Sequence, residues 1–280
     1  MESLIGNKRE TYMLRKLVSR ITPAFVRNSA RSVLGYVGRC QFIFDNPFSV
    51  FVSLLTNPFF FVRRNLFKNI THFAKDMDGR LLDFGCGNKP YERYFCNVSE
   101  YVGCDIEASG HAHANEKIDV FYDGKTLPFE DCSFDNVLSS EVFEHIFNLE
   151  PMIKELHRVL KPGGGILVTV PFVWNEHEAP YDFGRYTSFG ITDLLERNGF
   201  KVEEFRKSTS YVELLFQMWV EYLRYGFSKV PFAPARLLLH LIFIFPSILI
   251  GTILSAILPR NHSLYGDNIV FARKASGVQQ

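Results

Sequence analysis

Three stretches of this chain combine residue types and spacings that could do chemistry. In "LLDFGCGNKP", 81–90, an apolar run ends in Gly85-Cys86-Gly87. Glycines at that point let a ligand approach the backbone and leave N–H groups free to meet it, in the crevice at the carboxyl ends of parallel strands. Twenty residues after Gly85, a second apolar run, "YVGCDIE" (101–107), carries Asp105 near its end, an acid placed to accept hydrogen bonds from both hydroxyls of a ribose. The pair predicts an adenosine-bearing ligand. A dinucleotide is the poorer fit, because the fingerprint G-x-G-x-x-G needs a glycine where Pro90 stands. The third stretch, "HEAPYDFGRYT" (177–187), packs His177, Glu178, Asp182, Arg185 and Tyr186 into one polar, aromatic run. It offers a base for a hydroxyl and a cation for an anionic group.

These residues need a scaffold, and the pattern supplies one. From Arg80 onward, short apolar runs at 80–86, 101–107, 117–124, 134–141 and 164–171 alternate with helical or polar stretches. Helices are predicted at 89–97, with Pro90 in the first turn, and at 149–160, stopped by Lys161-Pro162-Gly163. "TSFGITDLLERNGF" reads as a further helix capped by Thr187 or Ser188 and closed by Gly199, followed by a strand at 201–208 and a last strand at 267–274. Such alternation predicts an α/β fold with a doubly wound, mostly parallel sheet. The long segment at 174–190 is too polar and too long to be a mere connection.

"DGKTLPFEDCSFDNVLSSEVFEHI" and "RVLKPGGGILVTVP", read with the glycine loop and Asp105, closely resemble the class I S-adenosylmethionine-dependent methyltransferases of the small-molecule type. The resemblance covers about residues 79–207 and the last strand. It implies a seven-stranded Rossmann-like sheet with the last strand antiparallel beside the fifth, and S-adenosyl-L-methionine as cofactor. Residue by residue it places Asp83, Gly85, Cys86 and Gly87 around the methionine part of the cofactor, Asp105 on the ribose and Ile106 against the adenine. Asp123, followed by Gly124, would accept from the exocyclic amine, and Glu141 and His145 would border the methionine and the methyl group. Asn88-Lys89 departs from the family, which often has a third glycine there, and the Lys89 side chain is expected to point outward. The candidate catalytic residues are His177, Asp182, Arg185 and His145. The "HE-PYDF-RYT" pattern is also similar to bacterial methyltransferases associated with glycan assembly, which implies O-methylation of a sugar or lipid-linked glycan intermediate. A quinone or lipid methyltransferase, or a cofactor-binding protein without turnover, are the alternatives.

Composition narrows the setting. A formal charge of +1 argues against a dedicated nucleic-acid binder. Five cysteines without a CxxC pair point to neither a disulfide framework nor a zinc site, and His111 and His113 occupy a polar loop, so no metal is expected. No secretory signal is visible at the start. Residues 1–74 read as a basic, Phe-rich helical region, 75–210 as the core, 211–263 as an apolar helical insertion, and 264–280 as the last strand and tail. Within the insertion, "LLLHLIFIFPSILIGTILSAIL" (237–258) carries no formal charge over 22 residues and is long enough to cross a bilayer. A single crossing would strand the last strand on the far side. The expectation is therefore that Pro246 breaks the run into halves too short to span, and that 211–260 folds back as a hairpin. With eight Lys and Arg against one acid between Lys8 and Arg39, this predicts a cytoplasmic enzyme seated at the inner membrane face, peripheral or monotopic.

Overall fold

A computed structural model describes residues 44–107 and 117–275, and the basic stretch 1–40, His111 and His113 lie outside them. The chain divides into two units, residues 1–56 and 57–280. In the first, α1 (Pro47–Thr56) follows one Asn-Pro step. The second opens after another, Asn57-Pro58, with α2 (Phe60–Phe73), whose buried face holds Phe60, Phe61, Leu66, Ile70 and Phe73. Two helices therefore begin within the Phe-rich stretch 46–67, each at or just after an Asn-Pro step.

Seven strands form one sheet: β1 (Gly79–Phe84), β2 (Val98–Ile106), β3 (Val120–Tyr122), β4 (Phe134–Ser140), β5 (Leu160–Pro171), β6 (Phe200–Ser208) and β7 (Asp267–Lys274). Their order is β3-β2-β1-β4-β5-β7-β6. The first five are parallel, and β7 runs antiparallel between β5 and β6. This is the predicted doubly wound sheet, reversed in direction at β1/β4, where such folds open their ligand crevice. Leu82, Phe84, Val137, Ile166 and Val168 point to one buried face and Leu81, Leu138, Leu167 and Ile269 to the other, which is why these runs are apolar at nearly every position. α3 (Leu149–Val159) presents Met152, Ile153 and Leu156 to the first face. α4 (Ser188–Glu196) starts where the Thr187 hydroxyl accepts from the Gly190 N–H at 3.1 Å.

Two expectations fail. No helix forms over 89–97; a single 3₁₀ turn, Glu92–Tyr94, is all that follows the glycine loop. Lys89 has φ 50°, which takes the chain out of the helical region, and β2 starts by Val98, leaving too few residues for a regular helix. Nor does Pro246 break the apolar run. Ala233–Ile257 is one continuous helix of 25 residues, about 37 Å long at 1.5 Å per residue. It consists of α6 (Ala233–Leu239), a π-helical turn (His240–Ile244) and α7 (Phe245–Ile257). Proline removes a donor and crowds the carbonyl four residues back. Here the π turn absorbs the mismatch: the Phe245 N–H bonds back five residues to the His240 carbonyl, and the Ser247 hydroxyl donates to the Phe243 carbonyl at 2.7 Å.

The hairpin exists nonetheless, with its turn at 229–232. Its first arm is α5 (Tyr211–Ser228), begun by a capping box in which the Ser210 N–H donates to Glu213 Oε2 at 2.9 Å. A Cβ at Gly251 would lie 2.6 Å from Phe216 of α5 and 2.9 Å from Phe61 of α2, so only glycine lets α7 pack this closely. Because β6 ends and β7 begins at the carboxyl edge of the parallel strands, with Asp267 paired to both Pro171 and Ser208, the hairpin rises from that edge.

Candidate active site

The carboxyl edge divides into a half around β1–β3 and a half around β4, β5 and the segment 174–186. In the first, Gly85 and Gly87 take φ of 73° and 46°, values that L side chains rarely adopt. A Cβ on Gly85 would collide with Val142, whereas one on Gly87 would meet nothing within 4 Å, so the loop is pinned on one side and open on the other. The Gly87 N–H donates to Asp105 Oδ2 at 2.9 Å, and Oδ1 accepts from the Ile106 N–H at 2.8 Å. Each oxygen keeps a lone pair for a hydroxyl, and the carboxylate cannot turn away. Ile106 packs over Gly124, whose φ is 81°. Asp123 is exposed and accepts from the Lys125 and Thr126 N–H groups through Oδ1, which hold it below the usual carboxylate range. An adenosine-bearing cofactor fits this arrangement of open backbone, fixed carboxylate and apolar side chain.

Beneath the loop the buried groups are tied to one another. Asp83 accepts from the Tyr101 hydroxyl at 2.6 Å, and burial pushes its carboxyl up to about 7. Cys86 is buried and its thiol is pushed up by desolvation, then by Asp83 and Asp105, so it is no nucleophile. Lys89 does not point outward as expected. Its side chain is buried against Gly103 and paired with Asp119, which also accepts from the Gly103 N–H at 2.7 Å. The charge is thereby neutralised and kept under the loop.

The second half is a network of charged side chains. Glu141, just past β4 with φ 57°, accepts from the Thr169 hydroxyl at 2.8 Å, and burial raises its carboxyl to about 7. The turn after it brings Glu144 and His145 together. The segment 174–186 docks on that turn through Phe183 and Gly184 N–H groups that donate to the Glu144 carbonyl at 2.8 and 3.2 Å. His145 donates from Nδ1 to the Tyr181 carbonyl at 2.7 Å, and its ring meets that of His177 edge-on at 4.7 Å. His177 Nδ1 lies 3.2 Å from Asp182 Oδ2 and 3.2 Å from the Asn175 carbonyl. Arg185 grips Asp182 with both terminal nitrogens, at 2.5 and 2.7 Å, and holds that carboxyl down at about 2. All four predicted catalytic residues thus converge.

Residues that sequence reasoning missed support them. Glu144 is fully buried, neither carboxylate oxygen has a hydrogen-bond partner, and burial with Glu141 nearby lifts it well above the usual range. Its place in "SSEVFEHI", between Glu141 and His145, was the available signal. Asp267 at the head of β7 is likewise buried and raised by desolvation, with the Ser208 hydroxyl donating to it at 3.2 Å. A cavity of about 490 Å³ lined by Asp78, Asp135, Lys161 and Arg273 opens at the opposite, amino edge of the sheet, away from all these groups.

Residues 82–168 match the family described as a methyltransferase domain. The chain is 32% identical over 165 residues to the mitochondrial ubiquinone biosynthesis O-methyltransferase of Rattus norvegicus, covering 52% of this chain and 46% of that one. It is 33% identical over 93 residues to the malonyl-[acyl-carrier protein] O-methyltransferase of Erwinia pyrifoliae, covering 31% and 36%. The chain therefore spans about half, or less, of the length of these curated relatives. A solved S-adenosylmethionine-dependent methyltransferase from Mesorhizobium loti is similar to this chain with a TM-score of 0.46 at 15% identity, over 79% of this chain and 99% of that one. With the glycine loop and the fixed acid on β2 inside the matched segment, residues 82–168 carry a methyltransferase domain of the class I, S-adenosylmethionine-dependent kind.

Proposed function

We propose that the chain methylates an oxygen of an amphiphilic small molecule, a sugar or lipid-linked glycan intermediate, presented at a membrane surface. In this reading Gly85, Gly87 and Asp105 hold S-adenosylmethionine, with Ile106 and Asp123 at its base and Glu141 toward its methionine end. When bound, the cofactor supplies a methyl group already activated on a sulfonium, so the chain has only to orient the acceptor and take its proton. His145 and His177 suit the proton's removal: each has Nδ1 beside a carbonyl or carboxylate oxygen, which leaves Nε2 as the basic nitrogen. Arg185 spends its terminal N–H groups on Asp182 and on the Gly184 and Asn175 carbonyls, so what it brings to an anionic part of the acceptor is a positive charge held in place.

The observation that carries the amphiphilic acceptor is the exposed apolar surface on this same edge. On the hairpin, Trp219, Tyr222, Leu237, Ile242, Ile253 and Ile257 are all about half exposed or more. Near the histidines, Phe147 is 83% and Phe189 85% exposed. Apolar surface of this extent is expected at an interface with lipid or an amphiphile. β7 is paired on both sides within the sheet, so the hairpin leaves and rejoins the core on the sheet's side, which supports a monotopic seat over a single crossing. The likeness to an enzyme named for ubiquinone biosynthesis favours a second acceptor, a quinone.

Incubation of the full chain with methyl-labelled S-adenosylmethionine and separated lipid and soluble extracts tests this. Label is expected in a lipid-linked sugar. Label in a quinone selects the second acceptor, label confined to soluble sugar removes the membrane seat, and cofactor binding without transfer overturns catalysis. Leu237, Ile242 and Ile253 changed together to Asp should abolish co-sedimentation with anionic vesicles while leaving cofactor affinity within about twofold.

A further inference from the structure

Glu144, His145 and His177 each place one ligand atom within 4.8 Å of the other two. Several independent features make this more than proximity. Glu144 is 0% exposed and both of its oxygens lack a hydrogen-bond partner, a state that is costly unless something else occupies them. The polar side-chain atom recorded beside it among the described residues is a histidine nitrogen, His145 Nε2, 3.7 Å from Glu144 Oε1. The Tyr181 carbonyl takes the His145 Nδ1–H, and the Asn175 carbonyl and the Asp182 carboxylate flank Nδ1 of His177. Such outer partners fix the tautomer and orient the nitrogen left over, as they do for histidines that bind metals.

We infer that Glu144, His145 and His177 form a site for one divalent transition metal of the zinc, cobalt or nickel type. Two imidazoles and a carboxylate select such ions over magnesium or calcium, which take oxygen ligands. Three protein ligands leave coordination positions open, at which a metal would draw a hydroxyl oxygen to itself and lower its pKa, a role that would stand in place of His145 and His177 acting as bases once they ligate. Ligands about 2.0–2.1 Å from one ion lie roughly 3.4 Å apart, so binding draws the three together by an ångström or so. The part that moves is the segment 174–186, because His177 lies on it and His145 follows a strand. The metal would thus close that segment over the acceptor. The role for the metal rests on the methyl-transfer reading, but its binding does not.

Titration of the metal-free full chain with Co²⁺, followed by its visible absorption, and with Zn²⁺ by calorimetry, tests the site. One equivalent is expected to bind with the absorption of a nitrogen- and oxygen-ligated ion, and Zn²⁺ should displace it. Glu144→Gln and His177→Ala should each weaken binding at least about 100-fold, while His157→Ala, a histidine elsewhere, should not. Saturation by Mg²⁺ in preference to Zn²⁺, affinity unchanged in both variants, or no binding at all would each overturn the assignment. Cofactor affinity, measured on the same preparation without metal, reports separately on the methyltransferase reading. Glu144→Gln preserves shape, so a loss of metal with an unchanged melting curve is not a folding effect.

Discussion

The two halves of the carboxyl edge are built on opposite principles. Around β1–β3 the site is mostly backbone: two glycines with positive φ, an N–H on Asp105, a short side chain over Gly124. Around β4 and β5 it is mostly side chains: Thr169 holds Glu141, Asp182 joins His177 to Arg185, and His145, tied to the Tyr181 carbonyl, lies beside the buried Glu144. A backbone site serves a ligand that never changes. A side-chain network can be altered piece by piece without disturbing the sheet, which suits the part that recognises the acceptor.

Breaking one half should leave the other intact. Asp105→Ala removes a carboxylate that is fixed by two backbone N–H groups, and charged hydrogen bonds contribute about 1.5–3 kcal/mol each; S-adenosylmethionine affinity should fall roughly 100-fold by calorimetry. An unchanged affinity would remove the ribose assignment. Asp182→Asn frees Arg185 and loosens His177, so methyl transfer should drop roughly tenfold or more, with cofactor affinity held within about twofold. If cofactor affinity fell as well, the halves would be coupled and the comparison would fail. The smallest effect sharpens it. Asp83 and Glu141, one in each half, both titrate near 7 when folded and lower when unfolded. The native state therefore holds more protons between about pH 4 and 7, and stability declines as pH rises through that window and levels above it. Asp83→Asn should flatten part of that decline, raising the melting temperature relative to the parent by a few degrees at pH 8 and by less at pH 5.

Much of the cofactor half was legible in the sequence because strands buried on both faces announce themselves, and because Gly85, Gly87 and Asp105 act within short stretches. Lys89 was not: its partner is 30 residues away and its backbone leaves the helical region. The four candidate catalytic residues were readable as types, yet Glu144 was passed over, since nothing local says that a carboxyl will be buried without a donor. The hairpin was read correctly as a hairpin and incorrectly as to its turn. A proline rule applied to Pro246 took no account of the π turn before it, which depends on i-to-i−5 bonding that no residue type signals.

The place of β7 has a consequence for synthesis. β5 and β6 both face an empty slot until Asp267–Lys274 is made, 59 residues after Ser208 meets its future partner Asp267. At about 5–20 residues per second, that leaves the two edges open for roughly 3–12 s on the ribosome. During this interval the apolar arms of the hairpin are already available, and the domain is not yet closed. On the proposed membrane-seated reading, a nascent chain that meets lipid at that stage would seat before its fold is finished, and closure by β7 would then lock the hairpin arms to a completed sheet.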